Sequence, residues 1–253
     1  MTNLFDLTGK KAIVTGGTRG LGHGMAEALL EAGCEAVIIG NSSHVQKAAQ
    51  HFREQGLPCH GVQADLCDRS QVDRGFEEAL SYLNGDVDIL VTAAGIQRRY
   101  SAEEFPTEAW DQVIEVNLNA VFRMCQLAGN VMLPKGYGKI ITVGSMISFF
   151  GGSTICAYAA SKGGVAQLTK ALSNDWACRG ICVNCIAPGY MATEMNQALL
   201  DDPQRLQAIN ARIPAGRWGT EQDVKGAVIF LASQASDYIT GAILPVDGGY
   251  LVK

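Results

Sequence analysis

Short apolar runs alternate with longer stretches in which apolar residues recur every three or four positions. The short runs lie at 11–15, 36–39, 61–63, 89–92, 139–143, 182–187 and 242–246, and their Val, Ile and Ala content reads as strand. Helical periodicity fills 21–32, 45–55, 71–83, 110–132, 157–178 and 221–231. Helix starts are marked by Ser43 with Gln46, Asp68 with Gln71, and Thr220 with Asp223, each a short oxygen acceptor three residues ahead of a polar partner. The first strands are continuously apolar, the pattern of a sheet covered by helices on both faces. Strand–helix alternation from end to end predicts one doubly wound, Rossmann-type α/β domain spanning 1–253, built on a seven-stranded parallel sheet. Only the segment 190–219 breaks the alternation. It is long, holds Pro203 and Pro214, and reads as a loop that covers a substrate.

Composition narrows the function classes. Of 253 residues, 47% are hydrophobic and 18% charged, enough for a large core and too few charges for a disordered chain. The net charge is −5 and no Lys/Arg run stands out, which argues against a nucleic-acid surface. No apolar run approaches the roughly 20 residues of a membrane helix. Asp6, Lys10 and Lys11 precede the first apolar run, unlike a secretory signal, so a cytoplasmic protein is expected. Cys178, Cys182 and Cys185 lie close together, but Cys182 and Cys185 would point to opposite faces of a strand, so no metal site is expected. His23, His44, His51 and His60 have no partner pattern and read as structural or exposed.

The first chemical motif is Thr15-Gly16-Gly17-Thr18-Arg19-Gly20-Leu21-Gly22, between a predicted strand and a predicted helix. Glycine there lets the backbone approach a diphosphate, whose charge suits a helix N-terminus. The second is Tyr158 with Lys162, four apart and so on one helix face. A free tyrosine has a pKa near ~10, and a neighbouring ammonium lowers it, so that Tyr158 can exchange a proton with a carbonyl or alcohol. Ser145, just past the fifth predicted strand, can hydrogen-bond the same substrate oxygen.

The glycine spacing resembles that of the short-chain dehydrogenase/reductase family. The resemblance runs from about Lys10 to Gly249 through Ala64-Asp65-Leu66, Ala93-Ala94-Gly95, Val116-Asn117-Leu118, Gly144-Ser145, Tyr158-Ala159-Ala160-Ser161-Lys162 and Pro188-Gly189. It implies an enzyme that interconverts a secondary alcohol and a ketone with NAD(P), using Asn117, Ser145, Tyr158 and Lys162, with Asn117 anchoring a water relay behind the lysine. It places the cofactor on Gly16, Thr18, Arg19, Gly20 and Leu21, on Asp65 and Leu66 around the adenine, and on Ala93, Ala94 and Gly95. Asn117, Tyr158, Lys162, Pro188, Gly189, Met191 and Thr193 complete the implied cofactor set. Thr92 stands where the family usually has Asn.

After the second strand the chain reads Gly40-Asn41-Ser42-Ser43, with no carboxylate to bind a ribose 2′-hydroxyl. Arg19 either faces a 2′-phosphate or is a solvated loop charge, and the reading leans to NADP. Within the family, Gly95-Ile96-Gln97-Arg98-Arg99, Ala187 to Thr193, Ile213 to Gly219 and Ala235 to Tyr238 are similar to the sugar-acid dehydrogenases of the gluconate and 2-dehydro-3-deoxygluconate type. Arg98 and Arg99 follow the fourth strand, where ligands bind in such sheets; one of them either grips a substrate carboxylate or forms a surface salt bridge. Tyr190 is a further substrate candidate. The resemblance also implies a homotetramer assembled through the two long helices that carry Asn117 and Tyr158 and through the last helix and strand. Two other functions stay open: reduction of 3-oxoacyl thioesters, and a nucleotide-binding regulator without catalysis, against which the intact Asn117, Ser145, Tyr158 and Lys162 argue.

Overall fold

Strand formation follows directly from the apolar runs. Lys11–Thr15 (β1), Glu35–Gly40 (β2), Cys59–Gln63 (β3), Ile89–Thr92 (β4), Gly138–Val143 (β5), Ile181–Pro188 (β6) and Ile243–Val246 (β7) form one sheet in the order β3-β2-β1-β4-β5-β6-β7. Every neighbouring pair is parallel. The computed structural model describes residues 3–253.

Side chains leave each strand to alternate faces, and each face has its own core. On one face Ala12, Val14, Ile38, Val91 and Ile141 pack under Gly20–Glu31 (α1), His44–Glu54 (α2) and the later helix Glu221–Ala232, through Met25, Leu29, Phe52, Val224 and Val228. On the other, Ile13, Val37, Leu90, Ile140 and Val183 meet Val72 and Phe76 of Arg69–Tyr82 (α3). Val121 and Met124 of the helix Ala120–Lys135, and Val165 and Leu172 of the helix Cys156–Trp176, complete that layer. Both faces being dry is why the central strands read as unbroken apolar runs.

Local differences from the sequence pattern have identifiable causes. Asp68 caps α3 by accepting from the Ser70 and Gln71 N–H groups. Ser43 makes no such bond, because its own backbone is already helical and Gln46 instead donates to the Gly61 carbonyl at 2.8 Å. Thr220 N–H donates to Asp223 Oδ2 at 2.8 Å. The helix expected at 110–132 begins earlier and is not continuous: Thr107–Ile114 (α4) passes into a π-turn at Glu115–Asn119 before Ala120–Lys135 (α5). The helix Cys156–Trp176 (α6) leads into β6. The segment 190–219, expected as loop, contains two short helices, Gln197–Leu200 (α7) and Pro203–Asn210 (α8), the second capped by Asp202 with Pro203 in its first turn. Their apolar residues Leu199 and Ile209 join Met146, Ile213, Trp218 and Tyr250 in a small third core, apart from the sheet. The helix Glu221–Ala232 (α9) returns the chain to the sheet. No helix among the described residues is long and apolar enough to cross a membrane.

Candidate active site

The chain leaves β1 for one face of the sheet and β4 for the other, which opens a crevice above their C-terminal ends. That crevice encloses about 1030 Å³. Gly16 sits at its floor with φ +72°, and a Cβ there would come 2.8 Å from Ala94 Cα. A Cβ at Gly22 would collide with the Gly16 carbonyl. Glycine at both positions is therefore what lets the loop lie against the end of β4. The N-cap of α1, Arg19, makes no side-chain cap, so the first N–H groups of the helix are left for an anion. Thr18, Arg19, Gly20 and Leu21 line this end, with Asp65 and Leu66 beyond β3 and Ala93, Ala94 and Gly95 beyond β4. Pro188, Gly189, Met191 and Thr193 line it past β6. This bare backbone cradle fits the diphosphate of a dinucleotide.

Two details add to the sequence-based picture. Arg19 is exposed but not free: its guanidinium pairs with Glu194 at 2.5 Å, joining the glycine loop to the segment beyond β6. Thr92, in place of the family's usual Asn, has a buried hydroxyl without a hydrogen-bond partner. An orphaned group of this kind costs about 1–3 kcal/mol.

The reactive end is built from β5, the π-turn and α6. Ser145 follows β5, is buried, and accepts the Ile147 N–H at 3.2 Å. Tyr158 lies in the first turn of α6 and within hydrogen-bonding reach of the Ser145 side chain. Burial pushes the Tyr158 phenol up from its ordinary value, opposed by the Ser145 hydrogen bond and the positive charge of Arg99. The sequence assigned that opposing charge to Lys162. In the fold Lys162 is buried, its ammonium donates to the Val143 carbonyl at 2.6 Å, and it lies 5.8 Å from the Tyr158 ring centre. Desolvation draws the Lys162 pKa down to about 8.

Asn117 is fully buried behind the cleft and does not line it. Its side chain accepts the Ile96 N–H at 2.8 Å and donates to the Ile96 carbonyl at 2.9 Å and to Ser161 Oγ at 3.1 Å. It thus clamps the backbone between Gly95 and Arg99. The π-turn that carries Asn117 widens the helix at the residue whose amide must reach sideways, a placement helical periodicity does not reveal.

The two arginines separate. Arg98 turns to Gln112 of α4, at 3.4 Å, and to the Gln97 carbonyl. Both line the crevice, but Arg99 is held by Gln97 Oε1 at 3.2 Å and its charge acts at Tyr158. Desolvation lowers the Arg99 pKa, as does the charge of Arg205, while the Tyr190 and Tyr158 phenols act the other way. Tyr190 is packed against Trp218 and Tyr250, with ring centres 5.0 and 5.1 Å away. Tyr250, Arg205 and Arg212 also line the cleft and were not singled out by sequence. Asp247 explains Tyr250: its carboxylate accepts the Gly249 and Leu251 N–H groups, both at 2.9 Å, and this turns the chain end back over the crevice. An aromatic residue directly after that Asp-Gly-Gly turn was the available signal. Among the described residues no cluster of His, Cys, Asp and Glu could hold a metal ion.

Known proteins carry the same frame. A family model described as enoyl-(acyl carrier protein) reductase matches residues 16–251. A 2-dehydro-3-deoxy-D-gluconate 5-dehydrogenase of Bacillus subtilis is 45% identical over 249 residues, 98% of this chain and 97% of its own length. A gluconate 5-dehydrogenase of Gluconobacter oxydans is 40% identical, covering 99% and 98%. The crystal structure of a gluconate 5-dehydrogenase from Burkholderia cenocepacia, in complex with NADP and tartrate, superposes with a TM-score of 0.95 at 41% identity, over 99% of this chain and 98% of that one. With the glycine loop, the serine and the tyrosine–lysine pair all in one crevice, and with relatives matched from end to end, this chain belongs to the short-chain dehydrogenase/reductase family of NAD(P)-dependent oxidoreductases.

Proposed function

We propose that this protein interconverts a secondary alcohol and a ketone on an open-chain sugar acid, of the 2-dehydro-3-deoxygluconate or gluconate type, with NADP as cofactor. The observation that carries this reading is Arg99, a guanidinium with no acidic partner among the described residues, close enough to Tyr158 for its charge to act on the phenol. A carboxylate on Arg99 would leave the rest of an extended sugar chain beside Ser145 and Tyr158. The relatives named above act on such acids by name.

The nicotinamide cofactor supplies or takes up the hydride. This chain's residues handle the oxygen and its proton. Ser145 donates a hydrogen bond to the substrate oxygen and Tyr158 Oη gives it a proton in reduction, or takes one in oxidation. Because burial holds the phenol protonated at neutral pH, the resting site is set to donate. Lys162 contributes a positive charge behind the tyrosine, and Asn117 positions the backbone that carries Gly95 and Arg99. Gly16, Thr18, Gly20 and Leu21 would cradle the diphosphate, Asp65 and Leu66 would flank the adenine, and Pro188, Gly189, Met191 and Thr193 would close over the nicotinamide end. Arg19 would reach a 2′-phosphate by leaving Glu194. The segment 190–219 would act as the lid, with Tyr190 on its inner side.

Assembly and location belong to the same proposal: a cytoplasmic homotetramer. The exposed Phe122 on α5, Trp110 on α4 and Tyr238 beside the edge strand β7 suit faces that meet other copies. The test is the near-ultraviolet absorbance of reduced nicotinamide in mixtures with 2-dehydro-3-deoxygluconate, 5-ketogluconate or an acetoacetyl thioester, each with NADH and NADPH. Consumption with a sugar acid, faster with NADPH, is expected. Consumption with the thioester alone would overturn the substrate assignment.

A further inference from the structure

Three arginines meet at the reactive end of the crevice. Arg99 comes from the loop after β4, Arg205 from α8, and Arg212 from the turn after α8. Among the described residues none of them forms an ion pair, whereas Arg19, Arg69, Arg123 and Arg217 elsewhere in the protein each do. Arg205 makes no side-chain hydrogen bond among the described residues; its backbone N–H serves only to cap α8 on Asp202. Arg212 lies over the Tyr250 ring, 4.1 Å from its centre, and Tyr250 in turn touches Tyr190. The charge of Arg205 is felt at Arg99, and the charges of Arg212 and Arg99 are both felt at Tyr190. The acidic residues that line the crevice are Asp65, beyond β3, and Glu194, which is bound to Arg19. The reactive end is therefore strongly and uniformly positive.

Like charges brought together without a counter-ion repel, and a fold that keeps them so gains nothing until an anion arrives. Two of the three ride on the helical segment 190–219, which is held at this end by the small core of Leu199, Ile209, Ile213, Trp218 and Tyr250 and by backbone bonds to the chain end, such as Ala215 N–H to the Gly248 carbonyl. Building on the sugar-acid reading, we infer that Arg205 and Arg212 are the lid half of a carboxylate clamp whose floor is Arg99, so that the acid end of the substrate is bound from both sides and is what draws the lid closed. Arg205 supplies the direct contact. Arg212 works from its seat on Tyr250, adding charge and fixing the aromatic wall. Specificity for an acid over a neutral sugar then resides in the lid as much as in the floor, and the substrate class is an open-chain acid with its carboxylate at the end remote from the cofactor's adenine.

The test uses the full-length enzyme with NADPH, 5-ketogluconate and the uncharged amide of 5-ketogluconate, in wild type, Arg205→Gln, Arg212→Gln and Arg99→Ala. A charge-assisted hydrogen bond lost on each side raises KM for the acid by about 10–100-fold in Arg205→Gln and Arg99→Ala, and by less in Arg212→Gln, with kcat changed less than about threefold. The amide, slow in wild type, is turned over by Arg205→Gln within about threefold of the wild-type rate. Melting temperature and NADPH affinity, read by nucleotide fluorescence, report whether each variant is folded. A raised KM in Arg99→Ala with none in Arg205→Gln overturns the lid half of the clamp and leaves the sugar-acid reading intact. Equal wild-type kcat/KM on acid and amide overturns both.

Discussion

The two ends of the crevice are made of different material. The cofactor end is nearly all backbone: glycines pressed against the end of β4 and the uncapped start of α1. The end proposed for the substrate is nearly all side chain: Arg99, Tyr190, Arg205, Arg212 and Tyr250, delivered by segments far apart in sequence. A backbone cradle is specified by what must be missing, since any Cβ would fill it. A side-chain pocket is specified by what arrives, and its members are free to change without disturbing the sheet. One fold can therefore keep its nucleotide and exchange its substrate.

The sharpest break of that comparison is at the boundary between the two ends. Tyr158→Phe should lower kcat by about 10²–10⁴, the range of a positioned proton donor, while cofactor affinity stays within a few-fold; turnover near wild type would remove Tyr158 from the chemistry. Arg99→Ala should raise KM for a sugar acid about 10–100-fold and Arg98→Ala less than threefold, because Arg98 is tied to Gln112 while the charge of Arg99 acts at Tyr158. Equal effects would erase the distinction drawn between them. At the cradle, Gly16→Ala forces an alanine into a left-handed conformation 2.8 Å from Ala94 Cα. NADPH affinity should drop about tenfold or more and melting should fall by several degrees, with KM for the acid little altered in whatever enzyme remains loaded.

Acidity gives a smaller effect with a defined direction. Desolvation draws Lys162 down from the ordinary lysine range to about 8, so its charge is complete well below that pH and is lost as pH rises through it. The rate of ketone reduction should fall about tenfold between pH 7 and pH 9 as the charge behind Tyr158 disappears. A flat profile across that interval would mean that the ammonium does not act on the reaction. The smallest effect is expected at Arg19. Its exposed pair with Glu194 contributes little stability, so Arg19→Ala should leave melting unchanged and shift the NADPH-to-NADH ratio of kcat/KM towards NADH by a few-fold.

How much could be read before the fold was known follows the same division. Strands β1 and β4 fall where the apolar runs put them, and the glycine loop, Ser145, Tyr158 and Lys162 come together as their spacing implied. The π-turn at Glu115–Asn119 was hidden, since one extra residue in a helical turn barely disturbs a 3.6-residue period. Ser43 met every local criterion for a cap and failed because Gln46 found a better partner on β3. The helices α7 and α8 were hidden by their length and by Pro203, which starts a helix here instead of breaking one.

By itself the sequence determined whatever depends on neighbours along the chain: the period of each element, the glycines a diphosphate cradle demands, and the four-residue step from Tyr158 to Lys162. Only the tertiary structure decided which charge reaches Tyr158, which arginine of the pair acts there, and that Arg205, Arg212 and Tyr250 line the same crevice. The reason is physical. Backbone geometry is set by near neighbours, whereas electrostatic and packing contacts act across space and become defined only when loops separated by a hundred residues are held over the same sheet edge.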